Sequence, residues 1–283
     1  MSNIVVAIDF SDCSINALLH ALSIAQRCKH DLILLWVNKS AAEKEKFAGP
    51  IEVQDSEVQK AFLDLIEKYQ PELPGNKISF KIRRGKIYRE ATAEAKARKA
   101  LLLVAGTHGA SGFEKFWAGS NANKIVAYSS CPVLTIRGGI DIKRPLSRIL
   151  LPIDSTLETR QKAGMAGYLA KCHGAEVIIL KLYTSKIKDV RQNVDLYASQ
   201  VARHMEKEGV PYTMDFLEPD NISDATIQYA KAMDVNLIAI MTEQETTAAN
   251  LFMGSYAHQT VNRSPIPVLS IHPKDTLATG QGF

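Results

Sequence analysis

Short runs rich in Val, Ile and Leu alternate along this chain with segments in which apolar residues recur every three or four positions. That alternation is the pattern of βαβ units around a buried parallel sheet. Ile4 to Ile8 reads as a first strand, after which Ser14 is expected to cap a helix whose Ile15, Leu18, Leu19 and Leu22 share one face. Leu32 to Val37 reads as the second strand. A helix is expected after Ser56, with Gln59 completing a capping box and Val58, Phe62, Leu65, Ile66 and Tyr69 as its apolar stripe, until Pro71 stops it. Ile78 to Ile82, Ala100 to Ala105 and Val133 to Ile136 read as further strands, with helices from Tyr88 to Lys99 and after Ser120 between them.

The pattern then repeats. Leu32 to Asn38 and Val177 to Tyr183 lie 145 residues apart, as do Asp9 and Asp154, each of which closes an apolar run. Further on, Leu101 to Gly106 answers Asn236 to Met241, and Cys131-Pro-Val-Leu134 answers Ile266-Pro-Val-Leu269, now at an offset of 135. The ten residues lost are expected from the polar stretch Lys39 to Asp55. Helices of the second copy are marked by Met165 and Leu169, by Val194, Tyr197, Val201 and Met205, by Ile227, Ala230 and Met233, and by a segment after Ser255. The chain therefore reads as a tandem duplication, with domains 1–138 and 146–274, a linker around Gly138 to Asp141 and a loose tail from Thr276. Each domain is expected to be an α/β fold: a doubly wound, open, five-stranded parallel sheet with helices on both faces.

Composition narrows the classes of function. With 34 Lys plus Arg against 30 Asp plus Glu, the net charge of +4 is too weak a bias to argue for a nucleic-acid or membrane surface. No apolar run approaches the length of a membrane span, and Met1 to Asp9 runs into a strand with no secretory pattern, so a cytoplasmic protein is expected. Cysteines 13, 28, 131 and 172 form no Cys-x-x-Cys pair and read as reduced thiols. The histidines (20, 30, 108, 173, 204, 258, 272) are scattered, and no metal site is expected.

Candidate chemistry lies in the loop after the fourth strand. Its spacing is Gly106, two residues, Gly109, nine residues, then Gly119-Ser120 at the start of a helix. Glycines permit amides to approach phosphate oxygens without a Cβ in the way, and a helix N-terminus offers unpaired donors. This pattern, followed by Cys131-Pro-Val-Leu-Thr-Ile-Arg137 and preceded by a first strand ending in Asp9, resembles the ATP-binding branch of the universal stress protein family in its tandem two-domain form. The resemblance covers nearly the whole chain. It implies a Rossmann-like domain of the adenine nucleotide alpha hydrolase type. It implies further that Ala7, Ile8 and Asp9 line an ATP molecule, that main-chain groups at Val37 meet the adenine, and that Ala105, Gly106, Gly109, Gly119, Ser120 and Asn121 hold ribose and phosphates. It also implies that the two halves pair as an internal pseudo-dimer through their fifth strands, and it leaves open a homodimer of chains.

Other polar residues near this loop have plainer readings. His108 reads as a solvent-facing loop residue, and no catalytic residue is assigned. Asp9 and Asp12 offer a water-bridged place for Mg2+, against which Asp12 reads better as a group solvating a helix start. Lys81, Arg83, Arg84, Lys86 and Arg89 read either as neighbours of the nucleotide or as the charged guard of an edge strand, and Trp36 and Trp117 as packing or interface residues. In the second copy the loop is Met241-Thr242-Glu243-Gln244-Glu245, and only Gly254-Ser255 survives. Added Cβ atoms and two carboxylates oppose a polyanion there, so one competent site per chain is expected. The function expected is that of an ATP-binding stress-response regulator with little or no ATPase activity. A nucleotide-independent scaffold and a slow ATP hydrolase are the alternatives.

Overall fold

The computed structural model describes residues 3–38, 51–107, 120–137, 145–242, 244–247 and 250–273. The chain divides into two compact units, Met1–Gly139 and Ile140–Phe283. The first contains β1 (Asn3–Ala7), α1 (Asp12–Cys28), β2 (Asp31–Asn38), α2 (Ile51–Tyr69), β3 (Ile78–Arg84), α3 (Ile87–Ala97), β4 (Leu102–Gly106), α4 (Ser120–Tyr128) and β5 (Val133–Ile136). Its strands are all parallel, in the order β3-β2-β1-β4-β5. The central strands are buried on both faces: Ile4, Val5, Val6, Leu102, Leu103 and Val104 expose no surface. This is why they read as continuous apolar runs rather than as alternating ones. Direction reverses between β1 and β4. Right-handed crossovers therefore carry α1 and α2 over one face and α3 and α4, which pack on each other, over the other.

The second unit contains β6 (Arg148–Ile153), α5 (Lys162–His173), β7 (Glu176–Leu182), α6 (Lys188–Glu208), β8 (Tyr212–Leu217), α7 (Ile222–Ala232) and β9 (Leu237–Met241). These are followed by β10 (Gln244–Thr247), β11 (Asn250–Met253), α8 (Ser255–Arg263) and β12 (Val268–Ile271). Its parallel sheet runs β8-β7-β6-β9-β12, the same winding as the first. The shortening of the second copy falls largely between β7 and α6, joined by residues 183–187 where the first copy has 39–50 between β2 and α2.

Three local features differ from the sequence reading. The first helix is capped by Ser11 rather than Ser14. Ser11 is extended (φ −71°, ψ 156°) and its hydroxyl accepts the Ser14 amide at 3.3 Å. The second helix begins at Ile51, so Ser56 lies inside it and its capping box is not used. Pro50 stands immediately before that start, and a proline at the mouth of a helix is a stronger signal than Ser56 with Gln59. Finally, the segment after β9 is not a loop. β10 and β11 pair antiparallel from Gln244↔Met253 to Thr247↔Asn250.

The basic cluster around β3 is a structural tie. Glu94 of α3, 1% exposed, is held by Arg83 and by Arg98, and Arg83 also reaches Glu90 at 3.3 Å. Burial pushes the Glu94 carboxyl up, but hydrogen bonds and charge from Arg98 and Arg83 outweigh it and leave the group below the ordinary carboxylate range. Arg84 pairs with Asp55 of α2. Of the two readings of this cluster, neighbours of the nucleotide or charged guard of an edge strand, the second agrees with the outer position of β3, and Arg83 and Arg84 additionally tie that strand to α3 and α2.

Candidate functional site

The reversal of strand order between β1 and β4 leaves a crevice at their carboxyl ends, the place where open α/β sheets receive ligands. The crevice has a cavity volume of about 120 Å³ and opens to solvent. Ala7, Ile8 and Asp9 at the end of β1, Val37 on β2, Ala105 and Gly106 on β4 and Asn121 on α4 all line it. The structure thus brings together seven of the residues named above. Gly109 and Gly119 lie outside the described residues, as do His108 and Trp117. Ser120 is the first residue of α4, next to Asn121.

The floor is small because its residues are small. Ala7 and Ala105 are register partners on adjacent strands, and Gly106 follows. Larger side chains form the walls: Leu35 and Trp36 from β2, Ile87 from the start of α3, and Ala122 and Ile125 from the face of α4 that carries Asn121. None of these was singled out from sequence as a site residue. Trp36, read as a packing or interface residue, is partly buried and also lines the crevice. Its place beside Val37 was the available signal. Ile125 was legible only as the i+4 neighbour of Asn121.

Asp9 is fixed by a compact turn. Its Oδ1 accepts the Ser11 amide at 3.1 Å and the Ser11 hydroxyl at 2.5 Å. The Asp9 amide donates to Ser14 Oγ at 3.3 Å, and that hydroxyl donates to Ser11 O at 3.0 Å. The second unit repeats the arrangement: Asp154 Oδ1 accepts from the Thr156 amide (2.8 Å) and hydroxyl, and the Asp154 amide donates to Thr159 Oγ1 (3.2 Å). A turn retained in both copies is a device of the fold that aims the carboxylate, whatever the crevice beside it contains.

Gly106 has a packing reason to be glycine. A Cβ there would lie 2.9 Å from Cys13 Sγ and 3.2 Å from the carbonyl carbon and oxygen of Cys13. The missing side chain lets the first turn of α1 close against the end of β4. In the second unit Met241 takes this position, and a 3-10 turn, Leu157–Arg160, replaces that first turn, with α5 starting only at Lys162.

The rest of the second crevice is altered in the same direction. By repeat position, Ile240 stands for Ala105, Tyr256 for Asn121, Thr226 for Ala91 and Lys162 for Ala17. Lys162 is 2% exposed, and its Nζ donates to Thr159 Oγ1 at 3.0 Å. Burial lowers its pKa to about 8 against the opposing pull of Asp154. Burial also raises the pKa of the Tyr256 hydroxyl, with the Asp154 charge adding to the effect. At each of these positions the second unit carries a larger side chain than the first.

Among the described residues no group of three His, Cys, Asp or Glu side chains is placed to hold a metal ion, and no helix is long and apolar enough to cross a membrane. The lining of the first crevice offers an apolar wall at Leu35 to Val37 and a floor of small residues at Ala7, Ala105 and Gly106, and it extends to the first turn of α4 at Asn121.

Comparison with known proteins agrees with this architecture. A universal stress protein of Archaeoglobus fulgidus superposes with a TM-score of 0.78 over 96% of this chain and 98% of its own, at 17% identity, which shows a shared fold. In sequence, the universal stress protein YxiE of Bacillus subtilis is 30% identical over 146 residues, covering 48% of this chain and 99% of its own. The universal stress protein MJ0531 of Methanocaldococcus jannaschii is 31% identical over 143 residues, 47% of this chain and 81% of its own. The universal stress protein family itself is matched twice, by residues 1–137 and again by 145–272, and the chain belongs to that family as a tandem member.

Proposed function

We propose that the chain is an adenine-nucleotide-binding regulator of the stress response, holding one ATP in the first domain and turning it over slowly or not at all. The observation that carries this reading is the crevice at the β1/β4 reversal. Its floor of Ala7, Ala105 and Gly106 leads to the N-terminus of α4, with the Gly109 and Gly119-Ser120 spacing in the connecting segment. Trp36 and Val37 offer the base an apolar surface and main-chain partners, Asp9 is aimed at the ribose, and the first turn of α4 offers amides to phosphate. Mg2+, when bound with the triphosphate, supplies charge neutralisation there.

Among the described residues lining the crevice, Asp9 is the one with an acidic or basic side chain, and its Oδ1 is engaged by Ser11. That set orients a ligand. It lacks the positioned base and cationic clamp that rapid phosphoryl transfer requires. Occupancy then acts by shifting the population of conformations seen by partners.

Calorimetric titration of the full chain with MgATP is expected to give one site per chain. At about 100 times Kd, nucleotide adds about 2.7 kcal/mol of stability, a rise in melting temperature of about 5–10 °C for a domain of this size. No binding and no shift would leave a nucleotide-independent scaffold. Two equal sites would refute the assignment to the first domain. Many turnovers per minute, lost on Asp9→Ala, would make the protein a hydrolase.

A further inference from the structure

Strand β8 is the outer strand of the second domain and is exposed along most of its length. On its inner side the Val177 amide donates to Pro211 O and the Tyr183 amide to Leu217 O, in register with β7 from Val177↔Tyr212 to Leu182↔Leu217. A parallel ladder uses alternate residues, so Tyr212, Met214 and Phe216 turn their amides and carbonyls away from the sheet. The side chains of these three residues share the face towards α6. The Tyr212 hydroxyl donates to Glu206, and the Phe216 ring lies 6.0 Å from Tyr183, whose hydroxyl donates to Asp195. Asp215 points the other way, to the Tyr229 hydroxyl of α7. Met214 is 52% and Phe216 55% exposed.

The corresponding strand of the first domain is guarded. β3 carries Lys81, Arg83 and Arg84, and its Phe80, the repeat counterpart of Met214, is covered by Phe62 of α2 with ring centroids 5.1 Å apart and planes 17° from parallel. The counterpart of Phe62 on α6 is Ala198, too short to cover Met214. β8 has thus lost both the basic side chains and the aromatic cover that keep an outer strand from pairing with another chain, and keeps one charge, Asp215.

We propose that β8 docks a second copy of this chain, strand to strand and antiparallel, about a two-fold axis at Met214. The strand is complementary to itself in that register. Met214 meets Met214 of the second copy, Tyr212 meets its Phe216, and the Thr213 hydroxyl faces the Asp215 carboxylate. The outward-facing residues then form hydrogen-bonded pairs, Tyr212 with Phe216 and Met214 with Met214, using amides and carbonyls that point away from β7; the Phe216 amide, which donates to Asp215 Oδ1 at 2.8 Å in the single chain, exchanges that local bond for one across the pair. A register centred one residue on would set Asp215 against Asp215 and is disfavoured by like charge. Charge also matches at the ends: Glu206, beside Tyr212, comes to the side where Arg191 stacks 4.0 Å above Tyr183, next to Phe216.

The test is sedimentation equilibrium of the full chain across about 1 to 500 μM, with a dimer of Kd near 10 μM expected. Met214→Lys places two ammonium groups at the axis and is expected to weaken the dimer at least tenfold. Met214→Pro, which removes an outward amide and no bond within the domain, is expected to do the same with the urea midpoint unchanged. Under oxidising conditions Met214→Cys is expected to cross-link, because hydrogen-bonded antiparallel partners place their Cα atoms about 5.5 Å apart, within disulfide reach. Thr213→Cys faces Asp215 and is expected to cross-link far more slowly. A wild-type chain that stays monomeric throughout overturns the proposal. So does a dimer of unchanged affinity in both the Lys and Pro variants, or cross-linking of the Thr213→Cys variant as fast as that of Met214→Cys.

Discussion

Gly106→Met, which gives the first domain the residue found at the same repeat position of the second, is expected to weaken ATP binding at least 100-fold, about 2.7 kcal/mol. The effect has two parts. The new Cβ enters a space closed by Cys13, 2.9 Å from its Sγ and 3.2 Å from its carbonyl group, so α1 must retreat from the end of β4. Retreat of that turn moves Ser11 and Ser14, and with them the hydrogen bonds that aim Asp9. The remainder of the methionine side chain occupies the crevice floor. Overpacking of this kind also costs about 1–3 kcal/mol of stability, which urea unfolding measures. Adding Cys13→Ala removes the nearest atom, Sγ, but not the carbonyl group, so stability is expected to recover in part while binding stays lost. If affinity survives the single substitution, the floor of the crevice is not where the nucleotide lies.

Lys162→Met is expected to stabilise the chain by about 1–3 kcal/mol at pH 7, since it removes a buried ammonium and retains its volume. Asp154 keeps the Thr156 amide and hydroxyl and is only half-buried, so no charge is stranded. The pH dependence identifies the cause. The folded-state pKa of Lys162 is lowered to about 8, whereas the unfolded chain holds its proton to about 10.5. Between those values the unfolded state binds more protons than the folded state, so wild-type stability rises with pH by up to about 1.4 kcal/mol per unit. Below pH 8 both states are protonated and the full penalty remains. The advantage of the variant is therefore greatest at neutral pH and fades by about pH 10.5. Denaturant titrations of both proteins from pH 6.5 to 10.5 measure this difference directly. A difference that does not change with pH would mean that Lys162 carries no strained proton.

The duplication and the winding of both domains were legible because each strand is a compact apolar run ended by a turn residue. Val133–Ile136, framed by Cys131-Pro132 and Arg137, was read to the residue. The helix start at Ile51 was not, because Pro50 lies at the edge of a polar stretch that reads as loop, while Ser56 and Gln59 imitate a cap inside the helix. The hairpin of β10 and β11 carried no signal either: Ala248-Ala249 joins its strands, with none of the Asn-Gly or Gly-Gly chemistry that marks a two-residue turn. At the crevice, residues contributed through the backbone or by small size were found from spacing. Trp36 was missed because a tryptophan within an apolar strand looks like core, and only the ending of β2 two residues later, at Asn38, puts it at the rim.

That same hairpin decides what the second domain can offer an anion. Where the first domain has a glycine-bearing segment, Gln244 to Thr247 and Asn250 to Met253 form an antiparallel ladder in which alternate residues exchange amide and carbonyl hydrogen bonds across the strands. Donors locked in mutual pairing are not available to solvate an incoming negative charge, so exchanging Glu243 and Glu245 for neutral residues would correct the local field without creating a cradle. The divergence of the two halves is therefore written in main-chain connectivity, and surface charge alone cannot reverse it.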